Sequence, residues 1–190
     1  MNNEIKIQYK LLASRYINMI WTHKIQEKQA DLYLKTSHNN KTWMTWMTVL
    51  TTTSIFSVIL TNFGCDWILE VITGIFAALS TFFTLRSKDN AWEAKALANK
   101  NYAAKCRTIR EMYASLMTDV KSGRYGSIEE IALKRNELEH LEQVLFENTI
   151  APHTTEKAVK KAEEALKSSK ESTTEDEEFR LLLPENLQID

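Results

Sequence analysis

One long stretch of the chain is almost free of charge, and it restricts the possible folds more than any other feature. The 44 residues between Lys41 and Arg86 carry only two charged side chains, Asp66 and Glu70, whereas the other 146 residues carry 47. The overall composition, with 44% hydrophobic and 26% charged residues, is ordinary for a soluble protein and hides this segregation. The distribution of charge therefore predicts that two parts of the chain are adapted to two different solvents.

The stretch of low charge divides into two segments, each long enough to cross a bilayer as a helix. Residues 42–63 are 22 residues without a charge, and at about 1.5 Å per residue they cover a hydrocarbon layer of about 30 Å. Residues 67–85 follow after a predicted turn, and 13 of these 19 residues are apolar. Trp43, Trp46 and Trp67 lie near the segment ends, where indole rings prefer the headgroup boundary. The pattern predicts a transmembrane hairpin.

The first segment is the less hydrophobic of the two, because nine of its residues are Ser or Thr and twelve are apolar. A soluble alternative is a buried helical hairpin inside a larger bundle. A chain of 190 residues, however, has little other material to cover two helices that are apolar all round. The sequence therefore favours insertion into a membrane.

Basic residues flank the predicted hairpin and predict its orientation. Lys35 and Lys41 precede the first segment, Arg86 and Lys88 follow the second, and the connecting turn has none. Because Lys and Arg are enriched on the cytoplasmic side of membrane proteins, we predict that both termini lie in the cytoplasm.

The rest of the chain predicts helices outside the membrane. Apolar positions from Ile5 to Tyr33 follow a 4-3 repeat typical of a packed helix seam. A run without Pro or Gly from Arg86 to Ser122 predicts one helix continuing straight out of the second span, and Ser127 to Glu130 has the form of a capping box opening another helix. The predicted fold class is an all-α membrane protein, a transmembrane hairpin with a cytoplasmic bundle made of an N-terminal helix and an antiparallel helix pair. Its predicted parts are the N-terminal cytoplasmic helix (1–41), the transmembrane hairpin (42–85, with spans 42–63 and 67–85), the cytoplasmic helical hairpin (86–150) and a partly disordered acidic tail (151–190).

The acidic tail begins with a short predicted helix at 155–167. Residues 167–178 are polar and rich in charge, which is typical of a disordered linker. Residues 179–190, FRLLLPENLQID, are again apolar in part. Two interpretations are equally open for them: a docking peptide for a partner, or a segment that packs against the bundle of its own chain.

Threonines in the first span form a hydroxyl stripe. Thr45, Thr48 and Thr52 lie on one helix face, at steps of three and four residues. One interpretation is helix packing, in which the hydroxyls bond to their own helix or to a neighbouring one. The other is that the stripe faces water in an oligomeric pore. Packing is favoured, because small polar residues are common at helix contacts.

The second span carries a small-residue pair and an acid. Gly74 and Ala78 are four residues apart, a spacing that permits close approach of another helix. Glu70 is the one acid inside a predicted span. Its carboxylate either reaches the nearby water interface or serves a gate or pore mouth.

Recognisable enzymatic motifs are absent from the sequence. It contains no glycine-rich phosphate loop, H-E-x-x-H motif, C-x-x-C pair or G-x-S-x-G elbow. The two cysteines, Cys65 and Cys106, and four scattered histidines are too few for a disulfide framework or a zinc site. A net charge of −1 without a cluster of Lys and Arg gives no sign of a nucleic-acid surface. We predict no enzymatic activity, no cofactor, no metal and no direct binding of nucleic acid.

A family resemblance rests on the arrangement of these features. It involves Ser14-Arg15-Tyr16-Ile17 on the first helix, the hairpin 42–85, and Trp92 and Tyr102 on the helix starting at Arg86. In these features the chain resembles the SLATT proteins, two-transmembrane effectors found with bacterial nucleotide-signalling and reverse-transcriptase defence systems. The resemblance implies a homo-oligomeric effector in the bacterial inner membrane, which perturbs or perforates the bilayer when a partner protein senses infection.

Three classes of function follow. The leading hypothesis is a pore-forming or membrane-disrupting effector of antiphage defence, controlled by a sensor or nucleotide-signalling partner. The alternative is a membrane-anchored scaffold that recruits a soluble partner through its cytoplasmic helices and tail. The third is a sensor that binds a small ligand, for which the sequence offers no recognisable pocket.

Overall fold

The structure is a computed structural model that describes residues 3–52, 66–147 and 149–168, together with residues 183, 187 and 188. Over these residues the regular secondary structure is helical and contains no β-strand, so the all-α prediction is confirmed. The helices are α1 (Asn3–Thr52), α2 (Asp66–Asn90), α3 (Trp92–Lys121), α4 (Ile128–Glu147) and α5 (Glu156–Ser168). Two compact units result: unit 1 comprises Met1–Ala30 and Leu97–Asp190, and unit 2 comprises Asp31–Ala96.

Helix α1 is longer than the N-terminal helix predicted over residues 1–41. It continues without a break through Lys41 to Thr52. Residues 3–52 contain no Pro and no Gly, so nothing in the local sequence interrupts the backbone hydrogen bonds. The end of the first predicted span and the first two residues of the turn predicted at 64–66 fall in residues 53–65, which lie outside the described residues. Asp66, the third residue of that turn, begins α2.

A break at Ala91 separates α2 from α3, and the prediction of one helix from Arg86 to Ser122 is wrong at this point. Ala91 has a φ of 44°, in the left-handed region that side chains other than glycine rarely adopt. Its carbonyl accepts the first hydrogen bond of α3, from the Lys95 N–H at 3.0 Å. The next residue, Trp92, is buried, and the Arg86 guanidinium lies 5.8 Å from its ring centroid. No Pro or Gly in the local sequence marks this break.

The core of unit 1 forms where the apolar faces of α1, α3, α4 and α5 pack against one another. On α1 and α3 the buried positions recur at steps of three and four, the spacing of one face of a helix. The predicted seam of α1 is confirmed at Tyr9, Leu12, Tyr16 and Met19, which are all buried. The other helices add to the same cluster, which includes Cys106, Ile109, Tyr113, Leu116, Met117, Val120, Ile131, Leu138 and Leu166.

The turn between α3 and α4 follows its sequence signals. Gly123, with a φ of 72°, ends α3 in the left-handed conformation that favours glycine. The Glu130 N–H donates to Ser127 Oγ at 3.3 Å, and Glu130 Oε2 accepts from the Gly126 N–H at 3.0 Å. The predicted capping box is therefore present, with the returning carboxylate bound one residue earlier than in the usual motif.

Polar side chains from other helices hold the ends of α4 and α5. Helix α4 has no basic residue of its own in its last turn. Lys105 of α3 places a positive charge there, because its Nζ donates to the Leu145 carbonyl at 3.0 Å. At the start of α5, Gln29 Oε1 of α1 accepts from both the N–H and the hydroxyl of Thr155, each at 2.8 Å. The predicted short helix at 155–167 is present as α5, and Gln29 fixes its first turn to α1.

The described residues of the carboxyl-terminal segment belong to the core of unit 1. Leu183 and Leu187 are 5% and 2% exposed and lie in the same buried cluster as the helices. The Tyr9 hydroxyl donates to the Leu187 carbonyl, and Lys121 Nζ donates to the Gln188 carbonyl. Of the two interpretations left open by the sequence, the structure favours a segment that packs against its own bundle.

Candidate functional site

Unit 2 contains the described parts of both predicted spans. Asn40 Nδ2 on α1 donates to the Phe83 carbonyl on α2 at 3.2 Å. The rings of Trp43 and Phe83 are stacked, with centroids 6.4 Å apart and planes inclined by 7°. A further contact joins Ser37 to Glu93 at the start of α3. Residue numbers rise along α1 as those of the partners fall, as expected for antiparallel neighbours in a hairpin.

A polar cluster closes this hairpin at the start of α3. The Glu93 carboxylate accepts from Ser37 Oγ at 3.1 Å and pairs with Lys41. A hydrogen bond from the Lys41 ammonium and a second one from the Ser37 hydroxyl lower the pKa of Glu93 below its usual range, and the bond from Lys41 has the larger effect. Glu93 lies in the first turn of α3, where a negative charge is favourable. Sequence reasoning missed this cluster, because nothing in the spacing aligns residue 93 with residues 37 and 41.

The two cations that bracket the stretch of low charge are thus both held at the first turn of α3. Lys41 pairs with Glu93, and Arg86 lies over the Trp92 ring. Both cations lie at the same end of the described hairpin. The orientation of the hairpin relative to a membrane remains a prediction from the sequence.

The threonines of the predicted stripe bond to their own helix. Thr45 Oγ1 donates to the Lys41 carbonyl at 3.0 Å, and Thr48 Oγ1 donates to the Met44 carbonyl at 2.9 Å. Both residues are exposed, whereas Met47 between them is buried. The stripe therefore lies on an exposed face of α1, and its hydroxyl donors are satisfied within the helix. Thr52 ends α1, and its side chain lies outside the described part.

The predicted small-residue pair is exposed on α2. A Cβ added at Gly74 would meet no atom within 4 Å, and Ala78 is also exposed. Within the described part of the chain, α2 therefore makes no close helix contact at Gly74. The predicted close approach of another helix remains a prediction. Glu70 lies in α2, but its side chain is not among those described.

Large apolar side chains remain uncovered on both helices of unit 2. On α2, Val71, Ile75, Leu79 and Phe82 recur at steps of four and three residues and are 39–55% exposed. Such a continuous apolar face is typical of a surface that contacts lipid or another protein. Among the described side chains of unit 2, the exposed large apolar residues are Leu34, Trp43, Trp46, Val49, Val71, Ile75, Leu79, Phe82 and Leu85.

No helix among the described residues combines the length and the hydropathy that crossing a membrane requires. Over the same residues, no group of three or more His, Cys, Asp or Glu side chains comes together as a metal site would need.

Two surface cavities in the described part of unit 1 have volumes of about 250 and 260 Å³. One lies beside Met112 and Leu141, and the other beside Arg15 and Glu142. Pockets for small molecules usually start at about 300 Å³. Neither cavity therefore favours the ligand-sensor hypothesis.

Comparison with known families matches residues 9–178 to the SMODS and SLOG-associating 2TM effector domain family 4. The chain belongs to this SLATT family. The SLATT match covers most of α1 and all of α2 to α5, and it includes the residues on which the resemblance rests. A SLATT domain is a two-transmembrane effector domain associated with nucleotide-signalling systems, so a role as a defence effector is supported. No curated protein and no solved structure matches the chain.

Proposed function

We propose that this protein is an oligomeric effector of bacterial antiphage defence that inserts in the inner membrane and forms a pore or otherwise disrupts the bilayer. A sensor or nucleotide-signalling partner controls it, and it carries out no catalysis. One coincidence carries the proposal: a family of two-transmembrane effectors matches the chain across the stretch of low charge between Lys41 and Arg86.

The apolar surface of unit 2 supports this proposal. The face of α2 from Val71 to Phe82 is uncovered by the described part of the chain, and Trp43 and Trp46 are more than half exposed on α1. Lipid or the same helices of other copies would remove this surface from water. The exposed pair Gly74 and Ala78 offers a place where a second copy can approach closely.

The polar groups of the predicted spans are compatible with hydrocarbon. Each described threonine of the stripe donates to a carbonyl of its own helix, so it carries no unsatisfied donor into lipid. The oxygens of Thr45 and Thr48 still have lone pairs facing outwards, which can line a water-filled path in an assembly. Packing of these threonines at a helix contact is favoured, and a pore lining is the alternative that the experiment separates.

The experiment measures leakage from vesicles that contain the purified full-length protein and its trigger. We expect the release of a trapped dye and the loss of an imposed membrane potential. If Thr45 and Thr48 line the path, Thr45→Val with Thr48→Val will change ion conductance while assembly is retained. If they pack, the double variant will weaken assembly.

Thr36→Val is the matched control, because Thr36 also donates to its own helix, at 2.9 Å, but precedes the predicted span. Its leakage should equal that of the unmodified protein. Cells that express the protein with its trigger and keep both membrane potential and dye exclusion would refute the proposal.

The scaffold alternative receives less support from the tail. Leu183 and Leu187 are buried within unit 1, so in this structure they are not available to a soluble partner. If the protein is a scaffold, deletion of residues 171–190 will abolish partner binding and leave membrane permeability unchanged.

A further inference from the structure

The carboxyl-terminal residues Leu183, Leu187 and Gln188 occupy a defined site on unit 1. The two leucines are buried in the same cluster as α1 and α3. The Tyr9 hydroxyl donates to the Leu187 carbonyl, and Lys121 Nζ donates to the Gln188 carbonyl. We call Tyr9, Lys121 and the part of the cluster that covers the leucines the tail site.

The tail site recognises features that do not depend on how the segment is attached. It binds two leucines spaced by four residues and two backbone carbonyls. Gln188 Nε2 also donates to the Leu183 carbonyl at 3.0 Å. Burial raises the pKa of Tyr9 to about 12, and its hydroxyl therefore remains a donor at physiological pH. The same segment of another copy would make the same contacts.

The connection to α5 is long enough for such an exchange. Helix α5 ends at Ser168, and 14 residues precede Leu183. At about 3.5 Å per residue, such a connection spans at most about 50 Å. Leu183 can therefore reach a tail site on another copy, provided that this site lies within about 50 Å of the end of α5.

We infer that the tail site is an exchange site, which in the assembled effector binds Leu183 and Leu187 of a second copy. The inference rests on the oligomeric state of the proposed function. A contact in which the tail of one copy enters the site of the next joins two different surfaces. Such contacts form a ring if the rotation between copies closes, and an open filament if it does not. Isolated chains fill the site with their own tail, whereas confinement in a membrane raises the local concentration of competing tails.

Cross-linking between two tagged forms of the full-length chain tests the exchange. Both forms carry Cys65→Ser, and Cys106 is fully buried. One form carries Ser122→Cys, at an exposed position beside Lys121, and the other has a cysteine added after Asp190. The two forms are reconstituted together and treated with a short bifunctional maleimide. Because each form has one accessible cysteine, a product that contains both tags reports a tail in the site of another copy.

We expect this mixed product to exceed, by about fivefold or more, that obtained when Lys157→Cys replaces Ser122→Cys. Lys157 is the matched control, because it is an exposed residue of unit 1 on α5. Leu183→Ala with Leu187→Ala, placed in the copy with the added cysteine, should lower the yield by about tenfold.

Two results would overturn the inference. In the first, a single copy with both cysteines cross-links internally while the mixed pair stays at the control level, which shows that the tail stays in its own chain. If the single copy also fails to cross-link, the tail site itself is wrong. Dye leakage from the same vesicles separates this test from the proposed function. A mixed product without leakage refutes pore formation only, and leakage without a mixed product refutes the exchange only.

Discussion

Substitution of Gln29 by Met is expected to release α5 from unit 1 without unfolding the rest. Gln29 is 2% exposed, and its Oε1 is the acceptor for both the N–H and the hydroxyl of Thr155. Met has a similar length and suits a buried position, so the change removes the acceptor and leaves little cavity. Thr155 caps the start of α5, because its side chain and its carbonyl both accept from the Ala158 N–H.

The size of the effect follows from the two lost bonds. The hydroxyl can rotate to another acceptor, but the Thr155 N–H cannot, and a buried donor without a partner costs about 1–3 kcal/mol. Because Thr155 is partly exposed, water can compensate in part, and we expect the lower half of this range. At about 1.4 kcal/mol for each factor of ten, the amides of α5 should exchange with solvent roughly 5–30 times faster.

Hydrogen exchange of the full-length protein, read by mass spectrometry, measures this local opening. Gln143→Met on the exposed surface of α4 is the matched control and should leave every segment unchanged. The amides of α3 and α4 should also keep their rates in Gln29→Met. Unchanged exchange in α5, or an equal acceleration throughout unit 1, would show that the two hydrogen bonds do not hold α5 as argued.

Three further predictions concern other contacts. Ala91→Gly should stabilise the protein by about 0.5 kcal/mol, because glycine adopts the positive φ of 44° without strain and this gain exceeds its entropy cost. Ala94→Gly within α3 should instead destabilise by about 1 kcal/mol, and thermal unfolding that gives both variants the same sign would contradict the reasoning. Lys105→Met should cost about 1 kcal/mol and increase exchange at the end of α4, since it removes the donor to the Leu145 carbonyl, whereas Lys100→Met on the exposed surface should have no effect. Burial raises the pKa of Cys106 from 9.0 to about 11, so the thiol ionises at lower pH in the unfolded chain than in the folded one. The contribution of Cys106 to stability is therefore complete below pH 9.0 and is lost as the pH rises towards 11. If Cys106→Ala loses stability as steeply in this pH range, other groups cause the loss.

Much of the helical fold could be predicted from the sequence, because local signals determine it. The 4-3 repeat of α1, the turn at Gly123 and the capping box at Ser127 depend on residues close in the chain, and the structure contains all three. The break at Ala91 could not be predicted, since its sequence lacks the usual helix-breaking residues. Trp92 directly after the break is buried, and a local sequence pattern does not specify such a tertiary contact.

The candidate site was less predictable than the helices. Thr45, Thr48, Gly74 and Ala78 were found from their spacing, and the structure places all four on exposed surfaces. The cluster around Glu93 was missed because it depends on the register between α1 and the start of α3. The tail site was left open between two interpretations for the same reason: a leucine pair in a polar tail does not specify which surface it will meet.

The hydroxyl bonds of Thr45 and Thr48 have a consequence for the proposed insertion of the protein into a bilayer. A donor that is already bound to its own helix loses no partner when water is exchanged for hydrocarbon. Only the solvation of the remaining oxygen lone pairs changes in that transfer. This part of α1 can therefore keep one backbone and one set of rotamers both before and after entry, and the step into lipid requires no local refolding.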